Sequence, residues 1–176
     1  MIKKSKIYIA ICGTIFMWAA GSLTHFIYAW SGNNPLVGIV SAMSESVWEH
    51  NKLFILPLLI VAMVEYIVYK DITKLLWAKS IQLVFMITAL IAFFYTYTGA
   101  LGIENFKIDI GLFIIIVAIG QFISYKILNS NSKFFKIKYV PGLIMVLIYS
   151  AFSYFSFNAP NYPVFISHST NVNIVK

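Results

Sequence analysis

The sequence contains no arginine, a single cysteine and few charged residues of either sign. All 13 basic residues are lysines, and charged residues make up 11% of the 176 residues, against about a quarter in an ordinary soluble domain. Without arginine, no guanidinium fork is present to hold a phosphate or a carboxylate. The lone Cys12 excludes a disulfide framework within the chain and a metal site built from cysteines.

The positive charge is also not arranged for nucleic acid. The formal net charge is +7, but the lysines are scattered between apolar runs instead of forming a basic stripe with interleaved aromatic residues. Nucleic acid is therefore not expected as a partner.

Long apolar runs are what the sequence does have. Hydrophobic residues make up 60% of the chain, and five runs are each close to the ~20 residues that a helix needs to cross a bilayer. None of them shows the alternation of a membrane β-strand. We predict an all-α integral membrane bundle in the lipid bilayer, with one transmembrane domain over residues 1–176. Its predicted helices span about 7–30, 44–69, 77–101, 110–128 and 139–157, and an outer tail covers 158–176.

The distribution of lysines predicts the orientation of the bundle. With the amino terminus inside, ten lysines fall on the inner side and three, Lys52, Lys107 and Lys176, on the outer side. Because cytoplasmic loops carry the excess of lysine, this bias places the amino terminus inside and the carboxyl terminus outside. The histidines His25, His50 and His168 then lie on or near the outer side.

The hexapeptide from Glu45 to His50 concentrates polar chemistry just before the second apolar run. Ser46 and Glu49 fit a capping box, in which Ser46 accepts from the amide of Glu49 and the Glu49 carboxylate reaches back to the amide of Ser46. A purely structural role as a helix cap is therefore one interpretation. It explains neither Trp48 nor His50.

A metal site is the second interpretation of the hexapeptide. His25 lies about a turn and a half before the outer end of the first helix, at a depth similar to that of His50, and the short connection makes the two helices antiparallel neighbours. Imidazoles and carboxylates suit zinc or another divalent metal. We predict His25, Glu49 and His50 as metal ligands and Glu45 as the general base of a metal-dependent membrane hydrolase acting at the lipid–water boundary. Ring nitrogens more than about 5 Å apart would argue against it.

A transporter or accessory membrane subunit, in which the cluster binds or relays an ion, is the third interpretation. It requires a polar path leading inward from the cluster to Glu65 or Gln82. Glu65 itself is expected near the inner interface, neutralised by Lys70. Gln82, Thr88, Gln121 and Ser124 are candidate partners for hydrogen bonds between helices.

The two polar segments resemble an uncharacterised family of small multi-pass prokaryotic membrane proteins, a domain of unknown function. The resemblance is carried by His25–Gly32, which contains His-x-x-Tyr-x-Trp-Ser-Gly, and by Ser44–Lys52, which contains Glu-Ser-x-Trp-Glu-His. It implies a multi-pass protein of a prokaryotic cell membrane and no established activity. In the tail, where the family carries an acidic residue, this chain has Phe165–His168. No carboxylate ligand is therefore expected from the tail, and His168 is the alternative at that place.

The chain is short for a membrane protein that encloses its own substrate cavity. Five helices in 176 residues leave little room for a large cavity inside the bundle. A homo-oligomer or a partner membrane subunit is therefore expected.

Overall fold

The computed structural model describes residues 2–167, except for the side chains of residues 2–4, 133 and 136. Over this range the prediction of an all-α protein is confirmed, because the chain forms helices and no strands. The helices are α1 Ile2–Trp30, α2 Pro35–Gly38, α3 Val47–His50, α4 Ile55–Tyr69, α5 Ile72–Leu101, α6 Phe106–Leu128 and α7 Tyr139–Phe157, with 3-10 turns at Asn51–Phe54, Lys133–Lys136 and Pro163–Phe165.

Five helical stretches are long and apolar enough to cross a membrane, as predicted. They are α1, the stretch Val47–Tyr69 that joins α3 to α4, and the helices α5, α6 and α7. Three helices, α1, α5 and α6, begin four or five residues before the apolar runs, at Ile2, Ile72 and Phe106. Their first turns contain polar residues. These residues can form part of a helix, but a search for apolar runs does not include them.

The second stretch changes from α-helix to 3-10 helix near the end that carries the hexapeptide. Residues Asn51–Phe54 form a 3-10 turn between α3 and α4. Pro57 follows and has no backbone N–H, so the carbonyl of Leu53 receives no ordinary helical hydrogen bond. This irregular segment lies directly below the hexapeptide.

The turns between helices are determined by local capping. Asp71 begins α5 by accepting a hydrogen bond from the amide of Lys74, and Asn105 begins α6 by accepting from Lys107. Gly102 ends α5 with φ of +63°, a left-handed conformation that glycine adopts without strain. The resulting α5–α6 turn is short, so these helices pack side by side.

The bundle has two chemically different ends. At the lysine end, the ammonium of Lys6 lies 4.6 Å from the centre of the Tyr69 ring, and Lys74 donates to the carbonyl of Ser130 at 2.9 Å. At the histidine end, the rings of His25 and His50 lie 5.1 Å apart. Successive helices therefore run in opposite directions between the two ends.

An apolar core fills the bundle between these ends. Helix α1 packs against α4 and α6, while α5 packs against α4, α6 and α7. The core is made of buried aliphatic, methionine and phenylalanine side chains from all five long stretches: Met17, Phe54, Ile55, Leu58, Val61, Leu83, Met86, Ala89, Ile116, Val117, Met145 and Phe152.

A buried polar group, which we call the polar lock, joins α4, α5 and α6 nearer the lysine end. Its members are Glu65, Lys79, Gln82 and Gln121, each at most 2% exposed. Glu65 pairs with Lys79 at 2.9 Å and accepts from the Gln121 amide at 2.6 Å. Lys79 donates to Gln82 at 2.8 Å, and Gln82 donates to Gln121 at 2.9 Å.

The polar lock corrects two expectations. Glu65 is neutralised by the buried Lys79 and not by Lys70 at the interface. Lys79 therefore does not belong among the lysines of the inner surface. The expected hydrogen bond between helices is present for Gln82 and Gln121, whereas Thr88 bonds within its own helix.

Candidate metal centre

A close approach of α1 to the start of α4 brings the two histidines together. A Cβ atom on Gly21 would lie 3.1 Å from the carbonyl oxygen of Leu53 and 2.6 Å from the Phe113 ring, so only glycine fits. His25 follows Gly21 by one helical turn on the same face. The contact at Gly21 therefore presents the His25 ring to His50.

Three ligand atoms converge at the histidine end. The Nε2 atoms of His25 and His50 each lie 3.4 Å from Oε2 of Glu45. Candidate ligand atoms of the three residues lie within 4.8 Å of one another, which satisfies the separation required of the two ring nitrogens. Two ligands held about 2 Å from one tetrahedral ion are themselves about 3.3 Å apart. Both histidine–glutamate distances are close to that spacing, and the outermost pair of ligand atoms would move closer together around an ion.

The orientation of His50 is determined by its own backbone. Its Nδ1 lies 2.9 Å from the carbonyl oxygen of Ser46. A carbonyl oxygen only accepts, so this contact places a proton on Nδ1 and turns Nε2 toward Glu45. Histidines that bind metals are oriented by this kind of outer hydrogen bond.

The cluster remains accessible and holds Glu45 in its charged form. The side chains of His25 and His50 are 27% and 31% exposed, and that of Glu45 is 53% exposed. The hydrogen bond to His25 lowers the pKa of Glu45 below its ordinary value of 4.5, helped by the charges of both imidazoles and opposed by partial burial. At neutral pH Glu45 is therefore an ionised carboxylate able to bind a cation.

Glu49, predicted as the carboxylate ligand, is engaged elsewhere. Its Oε2 atom pairs with Lys52 at 2.8 Å and accepts from the amide of Met43 at 2.8 Å, while Oε1 accepts from Ser156 on α7 at 2.9 Å. The structure groups Glu45, predicted as the base, with the two histidines. It leaves Glu49 outside that group.

One of the two hydrogen bonds of the predicted capping box is present. Ser46 begins α3 and accepts a hydrogen bond from the amide of Glu49 at 3.2 Å. The Glu49 carboxylate accepts from Met43 and does not return to Ser46. Capping therefore accounts for Ser46, and it gives no reason for Glu45 or His50.

Lys52 is a functional candidate that sequence reasoning placed at the outer surface. It is 0% exposed, and its ammonium donates to the carbonyls of Gly38 at 2.5 Å and Ser41 at 3.3 Å in addition to pairing with Glu49. We call Glu49 and Lys52 the clamp, because together they tie α3 to the segment that leads into Glu45. The spacing of a glutamate and a lysine three residues apart was the available signal.

One side of the cluster is closed by α7 and the following segment. The Trp48 ring lies 4.4 Å from that of Phe152 and 4.9 Å from that of Phe165. The backbone of Ser46 forms an antiparallel bridge with Ser167. His168, expected to join the cluster, lies outside the described residues, and its participation stays a prediction.

The transporter interpretation gains no support from the interior. Thirteen residues separate Lys52 from Glu65, about 20 Å along a helix. The apolar core fills the space between the clamp and the polar lock. Leu58 and Val61, which lie between Lys52 and Glu65 along this stretch, are both buried members of that core.

Fold and site together define an all-α protein of candidate membrane-spanning helices with a histidine–glutamate cluster at one end. A family model matches residues 1–172, and the chain belongs to that family, a family of unknown function (DUF6512). Searches of curated proteins and of solved structures give no match.

Proposed function

We propose that this chain is a multi-pass membrane protein that binds a divalent transition metal, most simply zinc, at the histidine end through His25, Glu45 and His50. The observation that carries the proposal is the convergence of three ligand atoms from three different segments, with Glu45 between the two imidazoles. Two histidines and one carboxylate form the ligand set of many catalytic zinc and iron sites.

The lysines support an orientation with the histidine end outside. Omitting the buried Lys79 from the ten inner lysines and the buried Lys52 from the three outer ones leaves nine against two. The lysine end therefore faces the cytoplasm in this proposal. The protein would then lie in the cytoplasmic membrane of a prokaryotic cell, with its metal centre on the outer face.

We further propose a hydrolytic role. A divalent metal held by three protein ligands retains an open position, where it acidifies a water molecule or polarises a substrate oxygen. In this arrangement His25 and His50 supply neutral nitrogen ligands, Ser46 orients His50, and Glu45 serves as the anionic ligand. The partial exposure of all three side chains leaves room for a substrate beside them.

Zinc affinity is expected to fall as the pH falls. Because the pKa of Glu45 lies below its ordinary value, this carboxylate is already ionised, and the protons that compete with the metal belong to the imidazoles. An imidazole nitrogen binds the metal only when it carries no proton, so affinity should fall progressively as the pH falls, by up to about 100-fold per pH unit where both histidines must release a proton. Competition with a chelator of known affinity from pH 5.5 to 8 measures this. A profile that stays flat to pH 5.5 would contradict histidine ligation.

The clamp should position the metal ligands without binding metal itself. Glu49→Gln removes the charge paired with Lys52 and loosens the segment before Glu45. Zinc affinity should fall about 10-fold, as for other outer-shell changes, while one zinc still binds at saturation. Chelator competition gives the affinity and elemental analysis gives the stoichiometry.

The matched control for the clamp is Glu104→Gln, a carboxylate on the α5–α6 turn at the same end of the bundle. It should leave both the affinity and the stoichiometry of zinc binding unchanged. If Glu49→Gln abolished zinc binding at every concentration in a protein that still folds, Glu49 would be a ligand after all.

A further inference from the structure

The metal centre lies at the edge of the hydrocarbon layer and not above it. Lys6 marks the lysine end, where its ammonium lies over the Tyr69 ring. His25 follows it by 19 residues of continuous helix, about 28 Å. A bilayer has a hydrocarbon core of about 30 Å. With Lys6 at the inner headgroups, His25 lies where the outer acyl chains meet their headgroups.

The loop beside the centre carries no charge. From Ser31 to Ser44 the chain has no charged residue. Leu36 is 75% exposed, and Trp30, at the end of α1, is 69% exposed. The clamp fixes this loop to the bundle through the carbonyls of Gly38 and Ser41. The loop is therefore fixed and uncharged, and it exposes the apolar Leu36 and Ile39 together with the polar Ser31, Asn33 and Asn34. The exposed Trp30 beside it is typical of the boundary between lipid and water.

The side of the centre opposite Trp48 carries the aromatic end of α1. Trp48 and His50 are two residues apart, so they point about 200° away from each other around α3. The Trp48 side is covered by Phe152 and Phe165. On the His50 side stand His25 and Phe26, whose ring stacks on Trp30 at 5.8 Å. A ligand reaching the metal from the membrane passes along this second side.

The net charge of the proposed metal centre favours an anionic headgroup. Glu45 is the one carboxylate in the cluster of described residues, and it leaves a divalent ion with one uncompensated positive charge. An anionic oxygen ligand neutralises that charge at a depth where bulk water is scarce.

We propose that the open position of the metal takes the phosphate headgroup of a membrane amphiphile, whose apolar chain lies along Trp30 and Leu36 in the outer leaflet. This rests on the proposed metal site and specifies its ligand. A water-soluble phosphate lacks the chain and binds more weakly.

The test uses cobalt(II), a spectroscopic substitute for zinc, bound to the full chain in neutral dodecyl maltoside micelles. Dodecyl phosphate and inorganic phosphate are titrated separately, and the visible cobalt absorption reports ligand exchange at the metal. We expect half-maximal change at a dodecyl phosphate concentration at least about 100-fold lower than for inorganic phosphate.

Partitioning into the micelle also concentrates dodecyl phosphate, so two double variants separate the two effects. Trp30→Ser/Leu36→Ser removes the proposed chain contact. Phe122→Ser/Leu143→Ser removes two apolar side chains nearer the lysine end that are 58% and 59% exposed. Cobalt affinity is measured for each, so that responses are compared at full loading. The preference is the ratio of the half-maximal concentrations of inorganic phosphate and dodecyl phosphate. It should fall at least about 10-fold in the first double variant and stay unchanged in the second.

The outcomes separate the two proposals. Equal responses to the two phosphates, or equal preferences in the two double variants, overturn the amphiphile with the metal site intact. A wild-type protein that gives no ligand-bound cobalt spectrum overturns the metal site and the amphiphile together.

Discussion

Replacing His50 by alanine is expected to lower zinc affinity by at least about 100-fold. Loss of an outer partner of a metal ligand already costs 10- to 100-fold, and in the proposed centre the Nε2 atom of His50, 3.4 Å from Glu45, is itself a ligand. His25→Ala and Glu45→Gln should have comparable effects, because each removes one of only three protein ligands. Chelator competition at pH 7.5 measures all three.

Glu104→Gln again serves as the control for Glu45→Gln. Both replace a carboxylate at the histidine end by its amide, and only the first removes a proposed ligand. Thermal unfolding without metal confirms that each variant folds. Equal zinc affinities for Glu45→Gln, Glu104→Gln and the unchanged protein would contradict the metal centre.

The polar lock is expected to show strong coupling between its two charges. Lys79→Met leaves the Glu65 carboxylate without its cation in a fully buried position, and breaking a buried pair in this way costs about 3–5 kcal/mol. Glu65→Gln likewise leaves Lys79 without its anion. The double variant removes both charges, and the amide at position 65 can still accept from Gln121. The free energy of unfolding that the double variant loses should be about 2 kcal/mol smaller than the sum of the losses in the two single variants.

Denaturation in detergent micelles measures this double-mutant cycle. Lys107→Met, which removes an exposed lysine charge from the start of α6, is the control and should change stability by less than about 0.5 kcal/mol. Additive effects of Glu65→Gln and Lys79→Met would show that the pair is not a coupled unit.

The five long helices could be predicted because membrane thickness prescribes the length of an apolar run. Their polar first turns could not, since hydropathy does not register the lysines near the start of α1, α5 and α6. The positions of Lys52 and Lys79 were also missed. A lysine in a sequence looks like a surface residue until the carboxylate that pairs with it in three dimensions is known.

The meeting of His25 and His50 could be predicted from their common depth in adjacent helices. The exchange of roles between Glu45 and Glu49 could not. The predicted helix over about 44–69 would contain both carboxylates, but α3 begins at Val47 with Ser46 as its cap. Glu45 therefore precedes the helix and turns to the histidines, whereas Glu49, inside the first turn, faces Lys52.

The most direct measurement of the proposed metal centre is X-ray absorption at the zinc edge on the loaded, unchanged protein, with zinc content determined on the same sample. We predict one zinc per chain, bound by two imidazole nitrogens at about 2.0–2.1 Å and at least one carboxylate oxygen at about 2.0–2.2 Å. A spectrum without imidazole scattering, or a protein that retains no zinc after dialysis, would contradict it.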